Sequence, residues 1–136
     1  MPAYQVTGNE YLSLPAISED TGAVEGLTVL HMGAKGLLEL SGGDKPLIAP
    51  VWRVNGEDQT PALEWHRENA WVPVARGEAQ GMTVALTYLC PLGERAFFVR
   101  LEAENHRAVP LDVWLGVRGQ WTSTLHEVNE TIVLDG

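Results

Sequence analysis

The sequence has few of the features that mark nucleic-acid, membrane or secreted proteins. Its single cysteine, Cys90, excludes an intrachain disulfide and a thiolate metal cluster. Nine Lys and Arg residues against 18 Asp and Glu residues give a net charge of −9, which provides no basic surface for nucleic acid or anionic lipid. No apolar run approaches the roughly 20 residues of a membrane helix, and the first residues lack the basic-then-apolar order of a secretory signal. These absences predict a cytoplasmic protein with no nucleic-acid and no membrane partner.

Motifs of catalysis and metal binding are also missing. There is no Gly-x-Ser-x-Gly elbow, no phosphate-binding Gly-x-x-x-x-Gly-Lys loop and no His-Glu-x-x-His helix. The four histidines lie far apart in the sequence, with no short spacing of the kind that metal ligands show. The sequence therefore predicts no metal, no cofactor and no catalytic residue. Cys90, between Leu89 and Pro91, is interpreted as a small buried apolar residue.

The glycines and prolines are spread along the chain. Fourteen Gly and eight Pro residues punctuate 136 positions without collecting in a linker, which is typical of many short strands joined by tight turns. No segment shows a helical period, so we predict an all-β, two-sheet antiparallel sandwich in one domain spanning residues 1–136. The predicted strands are Val24–Leu30, Gly36–Leu40, Leu47–Val54, Leu63–Arg67, Trp71–Arg76, Met82–Cys90, Arg95–Glu104, Leu111–Val117, Trp121–Val128 and Thr131–Leu134.

Two of these strands alternate apolar and polar residues with particular clarity. Because Arg95–Glu104 and Leu111–Val117 are separated by a short polar segment, we predict that they pair as an antiparallel hairpin. Both would then place their apolar residues on the same side of one sheet.

The register of that hairpin predicts a docking face. One allowed register places Phe98 opposite Trp114 and Arg100 opposite Asp112, whereas the alternative sets Glu102 against Asp112. Like charges directly opposite each other are unfavourable, so the first register is preferred. Phe98, Arg100 and Trp114 are accordingly predicted to lie together on the outward face as a domain-docking surface.

A second candidate site lies near the end of the sequence. Trp121 stands close to His126, Glu127 and Asn129, which combines one large ring with several hydrogen-bonding groups and suits a sugar. These four residues are the predicted carbohydrate-binding residues. The last residues, Asp135-Gly136, commonly begin a two-residue hairpin turn, and no returning strand follows. We therefore expect an N-terminal fragment of a longer protein, with an unfinished sheet edge that permits self-association.

Several segments together resemble a known family. They are Pro50–Gly56, Val84–Leu92, Phe98–Leu101 with Glu104-Asn105 and Val109-Pro110, Gly119–Trp121 and Thr124–Glu130. The sequence from about Val24 onward resembles the N-terminal supersandwich domain of bacterial glycoside hydrolases with an (α/α)6 catalytic toroid, similar to glycogen-debranching and amylo-α-1,6-glucosidase-like enzymes.

The resemblance implies a non-catalytic role for this chain. In that family the catalytic acid and base belong to the toroid, so no catalytic residue is assigned here. The implied partners are a downstream catalytic domain, which this domain braces, and an oligosaccharide. Two alternatives stay open, a free-standing carbohydrate-binding module and a galactose-mutarotase-like epimerase. The epimerase would need a His and a Glu to act together, and the adjacent His126 and Glu127 point to opposite faces of a strand.

Overall fold

The computed structural model describes residues 3–31, 36–127 and 130–135, with side chains described for residues 3–29 and 38–121. All regular elements in this part of the chain are β-strands. These residues include no helix that is long and apolar enough to cross a membrane. The strands are β1 (Tyr4–Gly8), β2 (Leu12–Ser18), β3 (Val24–His31), β4 (Gly36–Ser41), β5 (Ile48–Val54), β6 (Glu57–Gln59), β7 (Glu64–Glu68), β8 (Val72–Ala79), β9 (Met82–Leu89), β10 (Phe98–Asn105), β11 (Val113–Gly119), β12 (Thr122–Glu127) and β13 (Glu130–Asp135).

The described strands form two antiparallel sheets. The larger sheet has nine strands, with a main path β1-β2-β3-β4-β12-β13 and a branch in which β5 pairs with β11, β6 and the start of β3. The smaller sheet has four strands in the order β10-β9-β8-β7. This arrangement confirms the predicted all-β, two-sheet antiparallel sandwich.

Left-handed residues at the turns set the register of two hairpins. Asn55 (φ 50°) and Gly56 (φ 82°) connect Val54 to Glu57 in the β5–β6 hairpin. Gln80 (φ 54°) and Gly81 (φ 75°) make the equivalent two-residue turn between β8 and β9. Two positive φ angles in succession match the right-handed twist of antiparallel strands, so both hairpins close tightly.

Residues of both sheets meet in one buried cluster. Leu14 and Ile17 of β2 are 0% exposed, as are Leu86 and Tyr88 of β9 in the opposite sheet. The packing of one sheet face on the other is what makes the fold a sandwich rather than two separate ribbons. The remaining members of the cluster are Leu12, Val24, Leu47, Trp52, Val54, Ala75, Met82, Val84 and Cys90.

All ten predicted strands are confirmed to within three residues of their observed bounds, but three observed strands were not predicted. These are β1, β2 and the short β6, whose residues lie outside every predicted strand. Pro15 lies inside β2, and the register of β2 with β3 shifts between Ser13 and Ala16. This shift in register accommodates Pro15, which has no N–H to donate to a neighbouring strand. The proline also explains why the sequence of β2 does not resemble a regular strand.

The predicted pairing of residues 95–104 with residues 111–117 is wrong. β10 pairs along its length with β9, with Phe98 opposite Leu89, and β11 pairs with β5, with Trp114 opposite Arg53. The chain crosses from one sheet to the other between these strands. Their apolar residues do face one core, but they face it from opposite layers. Alternation identifies the residues that face the core and does not identify the neighbouring strand.

Candidate functional site

The predicted docking residues lie on two separate surfaces. Phe98 and Arg100 belong to β10 in the four-stranded sheet, whereas Trp114 belongs to β11 in the nine-stranded sheet. The single docking face predicted from the sequence is therefore not formed, because it depended on a hairpin between these strands. Each of the two surfaces has its own neighbours.

The surface around Trp114 is a row of three side chains across β6, β5 and β11. Trp114 is 48% exposed, and the guanidinium carbon of Arg53 lies 5.2 Å from the centre of its ring. Arg53 also pairs with Asp58, whose Oδ1 is 2.8 Å from its Nε. A methyl group at Gly116 would overlap the six-membered ring of Trp114, so glycine leaves the space that this ring occupies on the sheet. The indole is fixed in place while about half of it stays open to solvent.

The surface around Phe98 is apolar at one end and charged further along the strand. Phe98 is 57% exposed and lies opposite Leu89, which is 39% exposed. Two residues further along β10, Arg100 Nη2 is 2.7 Å from Glu102 Oε1, and both side chains are largely exposed. A pair this open to water adds little to stability. Phe98 and Leu89 form the exposed apolar end of this surface.

The predicted carbohydrate-binding residues are only partly described. Trp121 lies in the short link between β11 and β12 and is 46% exposed, and the neighbouring Gln120 donates a hydrogen bond to the carbonyl of Gly42 at 2.8 Å. His126 and Glu127 occupy adjacent positions in β12, paired with Thr131 and Glu130. The side chains of His126 and Glu127, and the whole of Asn129, lie outside the described residues. The proposed grouping of these four residues stays a prediction.

The nine-stranded sheet has more strands than the four-stranded sheet. Its main path is six strands across, and at about 4.8 Å per strand it is roughly 10 Å wider than a four-stranded layer. Burial is incomplete in β4 and at the end of β11, which pairs with β5 on the branch of this sheet. Leu38 and Leu40 of β4 are half-buried, and Val117 near the end of β11 is 54% exposed. We call β4, β12, β13 and the segment Val117–Trp121 the overhang.

The two buried groups with shifted pKa values are structural. Burial raises the pKa of the Cys90 thiol from 9.0 to about 11, so this side chain is protonated and unreactive at neutral pH. Cys90 is 1% exposed, which confirms its interpretation as a buried apolar residue. Burial also raises the pKa of the Tyr88 phenol above its usual value, and the hydroxyl donates a hydrogen bond to the carbonyl of Gly22. Neither group is poised for nucleophilic or acid–base chemistry.

Within residues 3–31, 36–127 and 130–135, no three His, Cys, Asp or Glu side chains lie close enough together to hold a metal ion. A cavity lined by Trp52, Asp20, Gln59 and Thr60 opens at the edge of β5. Sequence reasoning missed it, because its residues come from three separate segments and only tertiary pairing brings them together. The one sequence signal was the presence of prolines, among them Pro46 and Pro50, which line the cavity. Proline interrupts strand pairing because it has no backbone N–H to donate.

Comparison with known proteins adds no relative. The chain matches no protein-family model, no curated protein and no solved structure.

Proposed function

We propose that the chain is the non-catalytic sandwich domain of a glycoside hydrolase and that it braces a neighbouring catalytic domain. The enzyme class is supported by the sequence resemblance described above. The docking role is carried by one observation, the unequal width of the two sheets. A sheet that is apolar on one face needs a second layer over its full width, and the six-strand path of the larger sheet is wider than the four-stranded layer that this chain provides.

The residues at the start of the overhang suit a protein neighbour. Leu38 and Leu40 are half-buried in β4, while Val117 near the end of β11 and Trp121 just after it are about half exposed. Covering such side chains contributes about 25 cal/mol for each Å² of apolar surface removed from water. A second domain placed there would remove these apolar side chains from water.

The chain offers a matched pair of variants for the test. Val117 is 54% exposed in the overhang, and Val109 is 58% exposed in the loop between β10 and β11. We expect Val117→Lys to weaken association with the separately produced catalytic domain by about tenfold or more, because the ammonium group would be buried without a partner. Val109→Lys should bind as the parent chain does. Isothermal titration calorimetry measures both.

Two outcomes would contradict this proposal. One is equal binding by the parent and Val117→Lys chains, and the other is an equal loss in both valine variants. The first step is to read the coding sequence on either side of this chain, because a chain encoded with no other domain would overturn the bracing role. A folded Val117→Lys chain, checked by circular dichroism, makes the binding result interpretable.

A further inference from the structure

A cavity of about 230 Å³ lies at the edge of β5 that faces away from β11. On this edge β5 pairs with β3 only at Ile48 and with β6 only from Trp52 onward. The two-residue turn after Val54 makes Val54 and Glu57 a hydrogen-bonded pair. Every second residue of β5, counted back from Val54, therefore directs its backbone N–H and C=O groups to this edge. Pro50 is one of these residues and has no N–H to offer. The gap in strand pairing at Pro50 is where the cavity opens.

The cavity holds one hydrogen-bond donor from which no described residue accepts. Trp52 is 3% exposed, and no acceptor for its indole N–H is found among the described residues. The second tryptophan that packs against the core, Trp65, donates its indole N–H to the carbonyl of Glu19 at 2.8 Å. No fully buried side-chain nitrogen in the described part of the chain is left unpaired, so the Trp52 N–H must be reached through an opening. The cavity is the opening that Trp52 lines.

Further polar groups at the cavity are also available. Among the described residues, the carboxylate of Asp20 and the hydroxyl of Thr60 have no hydrogen-bond partner. Gln59 uses its Nε2 to donate to the carbonyl of Glu57 at 3.1 Å, which leaves its Oε1 free to accept. A donor at the wall and several acceptors at the rim therefore face one small volume whose other walls include Pro46 and Pro50.

Charge and size restrict the ligand. No Lys, Arg or His lines the cavity, Asp20 stands at its rim and the whole chain carries a net charge of −9, so an anion is disfavoured. The indole N–H needs an acceptor on the ligand, and the rim needs donors. A volume of about 230 Å³ is below the roughly 300–1,000 Å³ of pockets for drug-sized molecules, so it fits one small ring.

We infer that this cavity binds a neutral, polyhydroxylated ring the size of a monosaccharide. A ring hydroxyl oxygen accepts from the Trp52 N–H, other hydroxyls donate to Asp20 and Gln59, and the apolar C–H surface of the ring packs on the proline walls. The inference goes beyond the bracing role and does not depend on it, because the overhang and the cavity use different residues.

Nuclear magnetic resonance of the full chain tests this directly, since each tryptophan gives one indole N–H signal. We expect titration with methyl glucoside, methyl galactoside and methyl xyloside to shift the Trp52 signal with a Kd on the order of 1 mM for at least one of them. The Trp65 signal, already hydrogen-bonded, is the internal control. Glucuronate, which carries a carboxylate, should bind at least fivefold more weakly than the matching neutral sugar.

Two rim variants separate a ligand site from an empty gap. Asp20→Ala and Thr60→Val should each weaken binding about fivefold or more, because each removes a polar group at the rim that can hydrogen-bond to the ring. Asp112→Ala, at an exposed position outside the cavity, should bind as the parent chain does. Trp52→Phe keeps a ring but removes the donor, and it also assigns the Trp52 signal. If the Trp52→Phe variant does not fold, the affinities of the two rim variants still test whether the cavity binds the sugar.

Three results would overturn the inference. The first is no shift of the Trp52 signal at about fifty times the expected Kd. The second is unchanged affinity in both rim variants. The third is a sugar-dependent shift confined to Trp114 or Trp121, which would place carbohydrate on an outer surface and favour the free-standing binding module.

Discussion

The covered part of the nine-stranded sheet and its overhang are built from similar residues and differ in what lies against them. Leu14 of β2 is 0% exposed beneath the four-stranded sheet, whereas Val117 at the overhang is 54% exposed. Both belong to strands with alternating apolar residues. An apolar face in a sequence therefore marks a surface to be covered, and the layer that covers it is supplied by the strands that pack against it.

The largest expected effect compares a leucine in each part. Leu86 is 0% exposed in β9, and Leu40 is half-buried in β4. Leu86→Ala should lower the free energy of unfolding by about 2–5 kcal/mol, because it removes buried surface and leaves a cavity. Leu40→Ala should cost about 1 kcal/mol in the isolated chain. Urea denaturation measures both, and equal losses would show that the overhang is covered after all.

A smaller effect compares two tyrosine hydroxyls. The Tyr88 hydroxyl donates to the carbonyl of Gly22 inside the core, whereas Tyr4 is 46% exposed. Tyr88→Phe should destabilise the fold by about 1–2 kcal/mol, since it leaves a buried carbonyl without its donor. Tyr4→Phe should change the unfolding midpoint little. A Tyr88→Phe chain as stable as its parent would mean that water replaces the lost donor.

The smallest effect belongs to the outer row at Trp114. Arg53→Gln removes both the ion pair with Asp58 and the guanidinium near the ring of Trp114. At an exposed position we expect a loss of no more than about 1 kcal/mol, decreasing at high salt. Arg118→Gln, on an exposed residue of the same strand as Trp114, is the control. A loss that salt does not reduce would assign the effect to packing instead of charge.

Particular residues show how far sequence reasoning reached. The predicted strand Leu47–Val54 ends at the residue where β5 ends, because Asn55 and Gly56 turn the chain there with φ angles of 50° and 82°. The strand β2 was missed because Pro15 interrupts its regular pattern. In both cases the local chemistry of a few residues decided the outcome.

The candidate sites were less accessible to the same reasoning. Trp114 was correctly placed on an outward face, but its neighbour is Arg53, 61 positions earlier in the sequence, and not Phe98. The cavity at Trp52 joins residues of the β2–β3 loop to residues of β5 and the segment after β6. Contacts of this kind depend on which strands pair across the sheet, and alternation within a strand carries no information about that choice.

Local sequence patterns are enough to predict that this chain is a set of short antiparallel strands around one apolar core, because side-chain alternation and turn-forming residues act over a few positions. Three features could be seen only in the folded chain: β10 and β11 belong to different sheets, one sheet has more strands than the other, and a gap opens at Pro50. These features follow from pairing between distant segments, where the free energy comes from packing of whole layers rather than from any local preference.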